Sequence, residues 1–275
     1  MKKQHVFFVY ALCMLLAVPA AAGQETKSDR ATVEFSDPSR PGLLEASTHT
    51  GSIIVKGTSR KDVSVEARIR TRPVTDSPSV KDGMKRIRLS TTGLEIVEKN
   101  NIMSVEVSSL QKAVDLVIEV PLNTSLRLDG HNNGEIIVEN IQGEIEADHH
   151  NGPLTFTGIS GSIIANTHNG EVRVVFDRID PEKPMSFSTY NGDIDVTFPP
   201  TIKATAVLRT EQGEVLSDFD LTLETKPVKR QKDERDKGGA FKISFDDNIY
   251  GTINGGGPEY RFETRNGDII LRSSK

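Results

Sequence analysis

The sequence contains no tryptophan, a single cysteine and only 5% aromatic residues, and no apolar run in it is long enough to cross a bilayer as a helix. Each scarcity excludes something. One cysteine cannot build a disulfide framework or a Cys-cluster zinc site. Without tryptophan, the ring face most used to stack sugars in a deep pocket is missing. The charge balance, 34 Lys+Arg against 39 Asp+Glu, leaves a net charge of -5 and argues against a broad nucleic-acid-binding surface. No HExxH, P-loop or dinucleotide motif occurs. Nor is the chain disordered in character, because 27% charged and 36% hydrophobic residues are mixed along it.

What is present begins with an address. Lys2 and Lys3 precede an apolar run over residues 6–18, followed by Pro19 and the small residues Ala20, Ala21 and Ala22. This order predicts a signal peptide over residues 1–22, cleaved after Ala22. The run falls short of the ~20 apolar residues that a spanning helix needs. Cys13 lies inside it behind Leu12, which is not the setting of a lipoprotein cysteine. The exported chain would then carry no cysteine and no transmembrane segment. A flexible polar lead is expected over residues 23–30.

From residue 31 the chain reads as strands. β-Branched residues cluster or alternate over 33–35, 53–55, 63–69, 94–97, 105–107 and 114–120, with turn residues between them. From Gly134 the pattern turns regular. Gly134, Gly143, Gly152, Gly161 and Gly170 are nine residues apart, and each is followed two residues later by an apolar one. The same step recurs at Gly51, Gly192, Gly213, Gly251 and Gly267, so ten of the 22 glycines share one motif. A short fixed period signals a solenoid. Alternate glycines follow asparagine, in the pairs Asn133-Gly134, Asn151-Gly152, Asn169-Gly170, Asn191-Gly192 and Asn266-Gly267. The rung is therefore about 18 residues with two strands, lengthening to 22 and 21 after Gly170, with each Asn-Gly pair turning a corner at positive φ. Alternation predicts Ile145, Ala147, Ile163, Ala165, Val172, Val174 and Phe176 inside. The fold class expected is all-β: a single β-solenoid domain over 31–275 with an irregular, strand-rich first half. Residues 72–85 and the mixed-charge run 225–239 are expected as protruding loops.

The stretch NNGEIIVENIQGEIEADHHNGPLTFTGISGSIIANTHNGEVRV, preceded by VDLVIEVPLNTSLRLDG, resembles the bacterial putative-adhesin family of β-strand repeats, described as toast-rack-like β-solenoids. The likeness covers roughly residues 31–272. It implies an exported, non-catalytic protein associated with adhesion, the cell envelope or envelope-stress signalling, and it carries over no catalytic residue. One departure is the histidine beside the turns, where relatives often have Ser, Thr or Val.

The histidines at 49, 131, 149, 150 and 168 all lie two or three residues before a motif glycine. In the 18-residue register Asn132, His150 and His168 are equivalent, with Tyr190 and Arg265 in later rungs, and the pleat turns this column outward. The preceding column (His131, His149, Thr167, Thr189, Thr264) points inward or into the corner. His150 and His168, with Asp148, are the residues to weigh for a metal. A pH-responsive stripe on the same imidazoles is a further possibility. Calcium-binding nonapeptides would need an aspartate at a fixed place after glycine, but Glu, Glu, Pro, Ser and Glu follow the five regular glycines. A glycan-cleaving enzyme would need paired or clustered carboxylates in a groove, whereas the acidic residues of the repeats are spread, mostly as single outward Glu (Glu135, Glu144, Glu146 and Glu171). The expectation is a non-enzymatic scaffold without cofactor, binding an envelope protein or a surface polymer in the periplasm or at the cell surface. The alternative is an extracytoplasmic stress sensor acting with a membrane partner, and a glycan-active enzyme ranks third. Oligomeric state and the hand of the coil do not follow from sequence.

Overall fold

The computed structural model describes residues 28–70, 92–109, 112–224, 229–233, 241–245 and 248–275. The proposed signal peptide, most of the lead and the expected loop at 72–85 lie outside these residues. The structure is all-β, and its described strands form two large mixed sheets and a separate hairpin. Numbered along the chain, the first sheet runs in space β1 (Ser28–Glu34), β4 (Asp62–Ile69), β7 (Val114–Pro121), β3 (Ile53–Thr58), β9 (Ile136–Glu139), β11 (Leu154–Gly161), β13 (Val172–Ile179), β15 (Ile194–Phe198), β23 (Ile269–Ser273), β17 (Val215–Ser217). The second runs β18 (Leu221–Leu223), β21 (Ile249–Ile253), β16 (Ala204–Gln212), β22 (Glu259–Asn266), β14 (Met185–Asn191), β12 (Ile163–Asn169), β10 (Ile145–Asn151), β8 (Ser125–Asn132), β2 (Leu43–Thr50), β6 (Ile102–Val107), β5 (Leu94–Lys99). Neither sheet closes on itself. Through the middle of the molecule the chain alternates between the sheets, and neighbours within each are parallel. At the ends the pairing turns antiparallel, as in β1 with β4, β5 with β6 and β21 with β16.

The core is the space between the sheets. Ile145, Ala147, Ile163, Ala165, Val172, Val174 and Phe176 are all buried there, on the side that the alternation of apolar residues predicts. The scarce aromatics gather at one end of this space. Phe176 stacks on Phe198 at 5.2 Å, Phe187 on Phe262 at 5.1 Å and Phe198 on Tyr260 at 5.6 Å, while Phe176 meets Phe187 edge to face. Such contacts add roughly 0.5–1.5 kcal/mol each beyond the area they bury.

Five expectations need correction. Space does not follow sequence: Asn191 pairs with Asn266 and Gln212 with Asn266 on its other side, so the last strands, β22 and β23, insert between the rungs of Gly192 and Gly213. The 21-residue step is therefore not a stacking step. Periodicity reports spacing along the chain and is blind to a strand that returns from further on. Gly251 is no corner either, because it lies in β21 against Leu221 and Leu223. The first half is less irregular than it reads, since β2 and β3 stack directly on β8 and β9 in the same register. Strand structure begins at Ser28, within the expected lead, because β1 finds a full antiparallel partner in β4. The mixed-charge run is not wholly a loop, because Lys229–Asp233 pairs with Phe241–Phe245 as β19 and β20.

The corners explain their glycines differently from the sequence. Among the Asn-Gly pairs only Asn133 has an asparagine at positive φ, at 51°. In three of the other pairs the glycine carries the positive φ instead, Gly170 at 158°, Gly192 at 150° and Gly267 at 155°, and the corner glycines also supply absence of bulk. A Cβ on Gly152 would collide with the Gly134 carbonyl oxygen, one on Gly170 with that of Gly152, and one on Gly192 with that of Gly170. Substituting Gly152→Ala should therefore lower stability by about 1–3 kcal/mol, the cost of forcing bulk into a packed site. Urea unfolding followed by far-UV circular dichroism measures it, and an unchanged midpoint would contradict the steric account.

Candidate functional site

Three parallel columns of side chains run across the second sheet near the glycine corner. At the corner itself, asparagine amides form a ladder. The Asn151 amide donates to the Asn132 side chain at 3.0 Å, Asn169 to Asn151 at 2.8 Å, Asn191 to Asn169 at 2.7 Å and Asn266 to Asn191 at 2.6 Å. Just inside lies a threonine column whose hydroxyls satisfy the glycine carbonyls. Thr167 donates to Gly152 O at 3.0 Å, Thr189 to Gly170 O, Thr264 to Gly192 O and Thr210 to Gly267 O, each of these at 2.9 Å. A buried carbonyl left unpaired would cost ~1–3 kcal/mol, so the hydroxyls hold the corner together.

The outward column is a stack of rings. His49, His131, His150 and His168 follow one another at centroid spacings of 5.1 Å, and Tyr190 continues the row 4.8 Å beyond His168. Arg265 lies over the Tyr190 ring at 5.0 Å, bonds its hydroxyl, and is held by Glu211 at 3.0 Å. The structure thus places His150, His168, Tyr190 and Arg265 in one column, and it places His131 there where the sequence reading had Asn132. The cause is one residue. Strands β8 and β10 pair with an offset of 19, Ile145 opposite Leu126, because Asn133 is an extra corner residue in the left-handed region. Asn132 accordingly joins the asparagine ladder and Gly130 takes the inward place expected for His131. An Asn-Asn-Gly triplet among Asn-Gly pairs was the available sign.

His149 replaces threonine in the inner column and is buried opposite Gly130, whose missing side chain leaves room for the ring. Its Nδ1 accepts from the backbone N–H of Asn151 at 3.1 Å, while Nε2 reaches no partner within hydrogen-bonding geometry. Burial holds this ring below the ordinary imidazole pKa. The Gly134 carbonyl and Asp129 oppose that shift, and His131 and His150 add to it.

Asp148, His150 and His168 are not drawn together as metal ligands. The Asp148 carboxylate accepts from the Asn166 amide at 3.0 Å, and the two rings lie 4° from parallel with centroids 5.1 Å apart. Two nitrogens on one zinc would be no more than about 4 Å apart. Among the described residues no group of three or more His, Cys, Asp or Glu is arranged to hold a metal ion.

His149 generates a prediction with a definite sign. A base whose folded pKa is depressed takes up its proton more readily in the unfolded chain, so stability falls as pH drops from about 6.5 through the folded value. His149→Thr should remove that loss between pH 8 and pH 5. At pH 8 the single change leaves a gap over Gly130 and should cost about 1–2 kcal/mol. Gly130→Thr/His149→Thr, which restores the threonine column, should recover most of it. Urea midpoints of the three proteins at both pH values give the answer, and equal acid sensitivity in all three would contradict the assignment.

No family model matches the sequence, and no curated protein is similar to it in sequence. Solved structures are similar in shape. A putative cell adhesion protein from Clostridium sporogenes superposes with a TM-score of 0.51 over 91% of this chain and 100% of its own, at 14% identity. A putative adhesin from Bacteroides fragilis gives 0.35 at 10% identity, over 90% of this chain and 97% of its own. A putative lipid binding protein from Parabacteroides distasonis gives 0.27 at 7% identity, over 91% and 98%. The likeness of fold rests on the first of these. The resemblance to the putative-adhesin family of β-strand repeats, carried in the sequence by the repeated Asn-Gly steps, is thus accompanied by a fold similar to that of a putative bacterial cell adhesion protein.

Proposed function

We propose that this chain is an exported, non-enzymatic β-solenoid that serves as an adhesive or envelope-associated scaffold and binds a surface polymer or protein through the outer face of its second sheet. One observation carries the reading. The same side-chain types recur rung after rung in straight columns, so the molecule presents a repetitive surface, and a repetitive surface suits an extended or repetitive partner. The leader-like residues 1–22 support export. The alternation of the chain between two parallel-paired sheets supports the solenoid, with antiparallel strands at three of the four sheet edges and the short parallel β17 at the fourth, a length that limits pairing with other chains. Among the described residues no helix is long and apolar enough to cross a membrane.

The test is retention on envelope fragments of the source organism, using the chain from Gly23 onward. Binding that survives protease treatment of the fragments but not periodate oxidation would identify a polymer, and the converse a protein. Recovery of one specific membrane protein after cross-linking would favour the stress-sensor alternative. A protein that washes through all fractions would defeat the scaffold reading.

A further inference from the structure

The outer face of the second sheet pairs most of its polar side chains with each other. Arg127 bridges Glu45 and Glu146, Arg209 bonds Glu211 and Glu263, Asn166 donates to Asp148, and Ser188 donates to Asn166. The ring column departs from this. Among the described residues His49, His131, His150 and His168 stack on one another and on Tyr190 and make no hydrogen bond or ion pair. Asp129, two residues before His131 on the same strand face, makes none either. Between the two outward columns lies an open groove of about 300 Å³, with Asp129, Asp148 and Asn166 along one wall and His131, His150 and His168 along the other. It runs along the stack, across the strands β8, β10 and β12, each of which gives one polar residue to either wall.

We infer that this groove binds a linear, uncharged glycan laid along the stack axis. This rests on the scaffold reading and names its site and its ligand class. Each imidazole edge carries ring nitrogens that donate or accept hydrogen bonds, and the facing carboxylates accept two or more each. Vicinal hydroxyls on a sugar ring satisfy that mixture, whereas a lipid tail or an apolar peptide finds no apolar wall. Two aspartates on one side disfavour a polyanion by like-charge repulsion. The 5.1 Å step of the rings is comparable with the advance of an extended β-linked chain per sugar, so one sugar falls on each rung, and alternate sugars, which share an orientation, meet equivalent groups on every second rung. The rings present their edges, not their faces, so contacts per sugar are weak hydrogen bonds exchanged with water. Affinity then comes from the number of rungs engaged at once.

The experiment uses the chain from Gly23 onward in affinity electrophoresis through gels containing hydroxyethylcellulose, glucomannan or polygalacturonate, with calorimetry on cellohexaose and cellobiose. Retardation by a neutral polymer is expected, with the hexamer binding at least tenfold more tightly than the dimer. His150→Ala/His168→Ala should weaken binding at least tenfold, Asp129→Asn should weaken it severalfold, and Arg173→Ala on the other sheet should leave it unchanged. All four residues are surface-facing, and coincident thermal unfolding curves establish that the variants fold. Three results would overturn the inference: no retardation by either neutral polymer, preference for polygalacturonate, or undiminished binding by the double-histidine variant. Envelope retention shared equally by wild type and that variant would remove this site and leave the scaffold reading standing. Failure of the wild type to bind envelope material would remove the scaffold reading itself.

Discussion

The structure depends on how closely the backbone of one rung approaches the next at the glycine corner. There a carbonyl oxygen occupies the space where any other residue would carry its Cβ. That approach lets each corner amide donate to the asparagine carbonyl of the adjoining rung, as Gly152 does to Asn169 and Gly170 to Asn191. It also brings threonine hydroxyls to the glycine carbonyls and asparagine side chains to one another. Backbone, hydroxyl and amide ladders then share one register, and a one-residue slip would break all three. A slip in a β-strand also reverses which side chains face the core, so the corner and the core enforce each other.

That register is what turns separate polar residues into a surface. Histidines far apart in the chain, at 49 and 131, come to lie one strand apart because Thr48 pairs with Gly130. The same alignment continues to Tyr190 and Arg265. Behind the ring stack, His149 and Gly130 exchange volumes within the threonine column: one ring fills the place of two side chains. The exchange gives up a threonine hydroxyl at the Gly134 carbonyl and leaves a buried imidazole with one nitrogen unpartnered. Such a group is a local weakness in acid, set directly under the groove whose walls are imidazole and carboxylate.

The two ends of the molecule follow a different logic from its middle. Parallel strands in the middle bury apolar residues against both neighbouring rungs and the facing sheet. An end rung has only one neighbour and exposes a row of backbone donors and acceptors. Antiparallel strands β1, β4 and β5 take those positions at one end and β18 and β21 in the second sheet at the other, while the first sheet there ends on β17, a parallel strand of only three residues. The return of β22 and β23 into the stack places the aromatic residues Tyr260 and Phe262 against Phe198 and Phe187, so the rung that breaks sequence order also completes the aromatic part of the core.

Much of this was legible in the sequence because it depends on local rules. Alternation determined which of Ile145, Ala147, Ile163 and Ala165 face inward, and the nine-residue glycine step determined that strands of fixed length would turn at regular corners. It also determined that His150, His168, Tyr190 and Arg265 share one outward face. Only the tertiary structure decided which rung lies on which, since a strand from residue 259 competes for the same edge as one from residue 204 and spacing along the chain does not rank them. It decided that Asn133 shifts a register by one, which exchanges His131 for Asn132 in the ring column. And it decided that positive φ, found at Gly170, Gly192 and Gly267, is not the whole reason the corners are glycine: the further constraint is an oxygen from a neighbouring rung, an atom that no local reading of backbone preference contains.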